Sequence, residues 1–393
     1  MDERLGYREK RIKDKLSFSC IVISAVFFTV LSQFLVLRAG SITPLFRPLI
    51  IFCAVLLFTK RGYISNSVSK IALVAAIYEL FVLLFELDTS ANIPDTVRAG
   101  SSACLYLLMC SFACATPWTR RELRLILLSV LFGCFVCAVV FSFSNNLTNI
   151  HYSDLNMLGV SVNRNKNAYA FALGTLLGII YFTQSQKISR RLFSLGVTAL
   201  MGYCVLYSQC RGAFICLVLS VFILTIGKAM RIRKERGIVY LLYILLFVVG
   251  CVIAYFLLKN SDMSRLVDGE NTSGRDESIE NAWQMFLDSN LTGKIFGNGF
   301  MYESSHSDAI GAHLVYATFL VSSGIVGTAL ISFMFLASFK NIKTTIPMSL
   351  LVFAFTRSLF EGLDYYIYIP LILAVILHHY QKFYGRSVYG LFS

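Results

Sequence analysis

Long apolar runs, separated by short polar links, make up most of the chain. They fall at 17–37, 45–59, 71–87, 102–115, 123–144, 167–183, 192–208, 212–227, 237–258, 311–338, 345–361 and 367–381. An α-helix needs about 20 mostly apolar residues to cross the hydrocarbon of a bilayer. Several runs meet that length and the shorter ones approach it, so the pattern predicts an all-α polytopic membrane protein with about 12 transmembrane helices. The first run follows the basic stretch "MDERLGYREKRIKDK". It is too long for the apolar part of a signal peptide and further runs follow, so it is read as a retained span. Two polar segments are longer than the other links, 145–166 and 259–310. Neither has enough apolar residues for a core of its own, so residues 1–393 are expected to form a single transmembrane domain. Within the second segment, "SIENAWQMFLDS" sets Ile279, Ala282, Trp283, Phe286 and Leu287 on one helical face. This predicts an amphipathic helix lying at the membrane interface, followed by a turn at "FGNGF" (296–300).

Composition strengthens the membrane reading. The chain is 56% hydrophobic and 15% charged with a mean hydropathy of +0.68, whereas a soluble domain carries about 25% charged residues. The charges are also unevenly placed. Of the 35 Lys and Arg residues, 24 lie in segments 1–16, 60–70, 116–124, 184–192, 228–236 and 339–345 and in the C-terminal tail. These alternate with segments that hold only nine. By the positive-inside rule the first set is cytoplasmic, and both chain ends face the cytoplasm. The second set, with both long segments, is then on the outer side, and 259–310 becomes a large outer loop between helices 9 and 10, which would be periplasmic in a bacterial inner membrane. The net charge of +13 therefore anchors the chain to anionic headgroups and implies no nucleic-acid partner. The 11 cysteines lie in or at the ends of apolar runs and read as small interface fillers rather than disulfides or metal ligands.

Against this background, a few charges on the less basic side need an explanation. Arg211 in "LYSQCRGAF" sits at a tight link between two runs and is followed by Gly212 and Ala213. Arg164, Lys166 and Asn167 in "VNRNKNAYAF" meet the start of another run. Arg275 opens the amphipathic stretch, and Arg357 lies inside the eleventh run, four residues before Glu361. Ionisable residues at membrane depth are functional candidates. Arginine binds phosphate oxygens through a planar fork and does not lose its charge. Together these residues suggest an anionic, phosphate-bearing substrate at the outer boundary. Plainer roles stay open for each: an intrahelical Arg357–Glu361 pair, span flanking by Arg164, a solvated Arg275. His306 and His313, where the large loop meets the tenth run, are candidate general bases.

The chain resembles the O-antigen polymerase and O-antigen ligase superfamily of bacterial inner membranes. The residues that carry the resemblance are "QCRGAF", an "R…W…G.G" pattern (Arg275, Trp283, Gly297, Gly299), His313 eleven residues before Gly324 and Gly327, and "RSLFE" (Arg357, Phe360, Glu361). His306 is the alternative histidine; His313 has the better spacing to Gly324, although Leu314 follows it where relatives carry Asn, Ser or Gln. The resemblance implies a GT-C-like, metal-independent glycosyltransferase that needs no cofactor. Its donor would be an undecaprenyl-diphosphate-linked glycan. Arg211 and Arg275 would hold the diphosphate, and His313 would act on the acceptor hydroxyl. Arg164, Lys166, Asn167, Arg357, Glu361 and His306 would line the substrate site. Membrane lipids and a chain-length regulator are the other expected partners. A polymerase of repeat units is favoured over a ligase that passes the finished chain to lipid A–core, and both over a flippase.

The charge asymmetry makes a direct prediction about topology. A cysteine probe placed at Ser273 should react with an impermeant reagent added from outside, whereas probes at Ser189 and Lys234 should not. The opposite accessibility would reverse the topology and put the proposed site on the wrong side.

Overall fold

The computed structural model describes residues 16–32, 65–89, 93–143, 154–157, 160–232, 275–300, 315–360 and 365–384. In chain order these form α1 (Phe18–Ser32), α2 (Ser67–Thr89), α3 (Ile93–Ala115) and α4 (Arg120–Phe143). A short antiparallel hairpin follows, β1 (Asp154–Met157) and β2 (Val160–Asn163), with Asp154 opposite Asn163. Then come α5 (Arg164–Gln184), α6 (Ile188–Ser208), α7 (Arg211–Ile232), α8 (Arg275–Asp288) and α9 (Leu291–Phe296). The last four are α10 (Val315–Ser322), α11 (Gly324–Asn341), α12 (Thr345–Ser358) and α13 (Tyr365–Tyr384). The chain is thus a helical, polytopic membrane protein. Among the described residues, Ser67–Leu87, Arg120–Ser142, Ile188–Ser208 and Gly324–Asn341 are long and apolar enough to cross a membrane. The apolar runs 45–59 and 237–258 lie outside the described residues.

The structure departs from the sequence reading at three places. Run 311–338, expected as one span, is broken at Ser323 into α10 and α11, because Gly324 adopts a left-handed φ of 64°. The hairpin was not foreseen in segment 145–166, and α5 already begins inside that segment, at Arg164. Finally, α12 stops at Ser358 and Leu359–Phe360 form a turn, so the helix ends before the end of the run 345–361.

Packing follows from which faces are apolar. α13 is buried at every residue from Ile367 to Leu377, and α5 from Asn167 to Gly178. Helices apolar all round belong in the centre of a bundle. α13 packs against α12, α3 and α5, and α5 against α4, α6 and α7, while α11 lies against α2 and α4 against α1. Small residues let these helices approach closely. Gly174 and Gly178 of α5 stand one turn apart; a side chain on the first would strike Met201 and Cys134, and on the second Thr198. Ser194 of α6 donates to the Gly178 carbonyl at 2.7 Å. This is the small-xxx-small geometry that replaces hydrophobic driving force between helices in lipid. The cysteines behave as expected: nine lie among the described residues, and all nine are buried free thiols.

Helix ends are tied by side chains. Thr119 and Glu122 form a capping box at the start of α4, where the Glu122 carboxylate accepts from the Thr119 amide at 2.9 Å and hydroxyl at 3.0 Å. The same carboxylate receives the Ser17 amide at 3.2 Å and the Ser17 hydroxyl, which fixes the beginning of α1 to that of α4. Asn66 caps α2 by accepting from the Ser69 amide at 2.7 Å, and it donates to the Cys114 carbonyl of α3 at 2.8 Å.

The α5–α6 contact leads to a stability test. Gly178→Val should force Thr198 aside, at a cost of about 1–3 kcal/mol for an overpacked site. The melting temperature in detergent should fall; an unchanged value would mean that α5 and α6 do not meet through this glycine.

Candidate functional site

The link between α6 and α7 is two residues long. α6 is capped by Gln209, which takes the left-handed conformation at φ 51° and donates its amide to the Leu206 carbonyl. Cys210 follows, its amide 3.4 Å from the Ser208 hydroxyl, and α7 starts at once with Arg211. Arg211 is therefore the first residue of a 22-residue helix and is half-buried. The amides of a helix N-terminus carry a partial positive charge that favours anions, and Arg211 adds a full one at the same end.

Gly212 explains what surrounds this helix start. A Cβ there would collide with the Tyr169 hydroxyl of α5 and stand 3.1 Å from Phe360 Cβ, just beyond α12. Tyr169 in turn carries Arg357: the guanidinium carbon lies 3.8 Å from the centre of the tyrosine ring. Both side chains are fully buried. A desolvated cation over an aromatic face gains about 2 kcal/mol, which offsets part of the cost of burying its charge. Next to Arg357, Ser358 donates its hydroxyl to the Phe355 carbonyl at 2.6 Å and lies beside Tyr316 of α10. One end of the bundle therefore brings together the starts of α5, α7 and α10 and the end of α12.

The sequence candidates can be placed on this frame. Arg164 opens α5, Lys166 lies in its first turn, and Asn167 beside them is fully buried. Arg357 is sealed beneath Tyr169, so in this conformation it supports the start of α7 rather than presenting an open side chain. Arg275 is the first residue of α8. His306, His313 and Glu361 lie outside the described residues. Sequence reasoning missed Tyr169; the only hint was an aromatic residue three positions after Lys166.

A second cluster is built on α2. Tyr78, Glu79 and Glu86 of α2 meet the turn at 296–300 and the α10–α11 break. Glu79 and Glu86 are seven residues apart in an otherwise apolar helix, and that two-turn spacing was the available signal. The turn and the break also bond to each other: the Asn298 amide donates to the Val321 carbonyl at 2.9 Å and the Gly299 amide to the Ser322 carbonyl at 3.0 Å. Gly297 and Gly299 adopt φ of 95° and 97°, which admits glycine readily and other residues only under strain. The "G.G" and Gly324 elements of the sequence are thus two halves of one backbone contact. α8 packs on this unit with Ala282 and Phe286 buried against α10, while Ile279, Trp283 and Leu287 of the same stripe stay exposed.

Residues 196–332 match the family model Wzy_C, described as O-antigen ligase. The match covers roughly a third of the chain and supports the O-antigen polymerase and ligase superfamily. It contains Arg211, Arg275, His306 and His313, and excludes Tyr169, Arg357 and the glutamates of α2. No curated protein matches the chain.

The Gly212–Tyr169 contact can be tested by a double-mutant cycle. Gly212→Ala should lower the melting temperature by displacing the tyrosine hydroxyl. Adding Tyr169→Phe removes that hydroxyl but keeps the ring under Arg357, so the double variant should recover part of the loss. Coupled neighbours give interaction energies of about 0.5–3 kcal/mol. Strictly additive melting shifts would show that the two residues do not touch.

Proposed function

We propose that this protein is a glycosyltransferase of the outer face of the bacterial inner membrane, polymerising oligosaccharide repeat units carried on undecaprenyl diphosphate. The observation that supports this most is the gathering of basic helix ends at one end of the bundle. Arg211 starts α7, Arg164 and Lys166 start α5, and Arg357 ends α12 beneath them. In the chemistry proposed, an acceptor sugar hydroxyl attacks the anomeric carbon of the donor. The bond from that carbon to the diphosphate oxygen breaks, and its electron pair stays on the diphosphate. Fixed donors aimed at this developing charge stabilise the transition state without reorganising. Arg211 and the α7 N-terminus supply them, and Arg275 is assigned as a second clamp. His313 takes the proton of the acceptor hydroxyl, with His306 as the alternative base.

A second reading, transfer of a finished chain to lipid A–core, is favoured by the description of the matching family as a ligase. The two differ in acceptor, and a deletion strain separates them. A single repeat unit on lipid A–core indicates a lost polymerase. Bare core with accumulated lipid-linked polymer indicates a lost ligase.

The role of Arg211 is tested by a charge-preserving change. Arg211→Lys keeps the charge and loses the planar fork, so transfer by purified, folded protein should stay strongly impaired. Arg211→Ala should be at least as poor, with a loss of roughly 2–5 kcal/mol, as when a desolvated charge partner is removed. Full activity in Arg211→Lys would sink the diphosphate grip and leave Arg275 as the better candidate.

A further inference from the structure

The turn at 296–300 and the break at 322–324 are irregular backbone, yet both lie against α2, a helix long and apolar enough to cross a membrane. Irregular backbone at such depth persists only where protein groups satisfy it. Two side chains of α2 do so, and a third binds a hydroxyl beside them. The Tyr78 hydroxyl, at the midpoint of the helix, points at two carbonyls, Phe296 at 2.9 Å and Ser323 at 2.7 Å. The Ser323 hydroxyl donates to the buried Glu79 carboxylate at 2.7 Å. Two turns further along, the Glu86 carboxylate accepts the Phe300 amide at 2.7 Å. Gly299 and Gly327 provide the room: added Cβ atoms would stand 2.5 Å from the Glu86 carboxyl carbon and 3.1 Å from a Glu79 oxygen.

We propose that Tyr78, Glu79 and Glu86 are positioning residues, which hold the turn at 296–300 and the α10–α11 break at set heights on α2; these two elements flank, in the sequence, the stretch 301–314 in which His306 and His313 occur. Phe300 is the residue immediately before that segment. α10 follows that stretch in the chain and ends just before Ser323, which Glu79 and Tyr78 clamp. None of the three residues belongs to the stretch that matches the family. Their part in the reaction rests on the proposed function, because a base is useful only when held within hydrogen-bond reach of the proton it takes.

The test uses full-length protein in lipid nanodiscs and compares Tyr78→Phe, Glu86→Leu and Glu86→Gln with wild type. Gln keeps an oxygen that accepts the Phe300 amide, and Phe removes only a hydroxyl, so the set separates bonding from bulk. Amide hydrogen exchange reads the clamp itself. Exchange at 297–300 and 321–324 should quicken at least tenfold in Glu86→Leu and Tyr78→Phe, and stay within threefold of wild type in Glu86→Gln. Exchange in α5 and α12 should not change. Steady-state transfer with a lipid-linked donor reads the consequence. In the Leu and Phe variants kcat should fall about 10- to 100-fold with KM for the donor within twofold, since the donor's diphosphate is held elsewhere, and Gln should restore kcat. Unchanged exchange in both Leu and Phe variants overturns the clamp. Faster exchange with unchanged kcat, or an equal loss across α5 and α12, overturns the positioning role. A wild-type protein that transfers no sugar overturns the proposed function instead, and the exchange data still decide the clamp.

Discussion

A peptide group in hydrocarbon has no water to bond, and this constraint governs how the chain can depart from helix. The α10–α11 break leaves amides and carbonyls that a continuous helix would pair within itself. The turn at 296–300 pairs some of them, two left-handed glycines let the two stretches of backbone come close enough, and α2 supplies the Tyr78 hydroxyl to the Ser323 carbonyl and Glu79 to the Ser323 hydroxyl. Without that set of partners, each unmet group would cost several kcal/mol. The break, the turn and the polar residues of α2 are therefore parts of one solution, and none of them is sensible alone.

The same logic of close approach operates at the other cluster. A helix start with an arginine must be held against neighbours without masking its charge. Gly212 removes the side chain that would keep α5 away, Tyr169 fills the space, and its ring offers Arg357 a face that partly replaces lost hydration. The two-residue link at Gln209–Cys210 gives α7 little freedom relative to α6. The charge at this end is thus pre-aligned by folding, which is the condition under which fixed dipoles are most effective toward an anion.

Much of this architecture could be read from the sequence, because lipid imposes a simple code of apolar length and basic flanks. The helices and the buried, free cysteines came from that code directly. The amphipathic stripe at 279–287 was also visible, although the sequence did not reveal that Ala282 and Phe286 would face α10 while Trp283 stayed exposed. The misses share a cause. Run 311–338 is apolar throughout, so hydropathy alone could not show a break that depends on φ at Gly324 and on partners more than 240 residues away in sequence. Tyr169 reads as one more aromatic filler until Gly212 and Arg357 are placed beside it. Glu79 and Glu86 stand out as carboxylates in an apolar run, but their meaning lies in bonds to Ser323 and Phe300 that no local pattern encodes.

The stretch that resembles a known family and the unit that folds together have different borders. Residues 196–332 contain Arg211, Arg275, His306, His313 and the glycines of the motif. Yet the break within that stretch is completed by α2, and the start of α7 packs at Gly212 on Tyr169, whose ring in turn meets Arg357. The motif-bearing part is therefore not a transplantable module. A chimera that exchanged only residues 196–332 with a relative would import glycines and carbonyls shaped for another helix's side chains. Compatible grafts would have to carry the α2 face along with them.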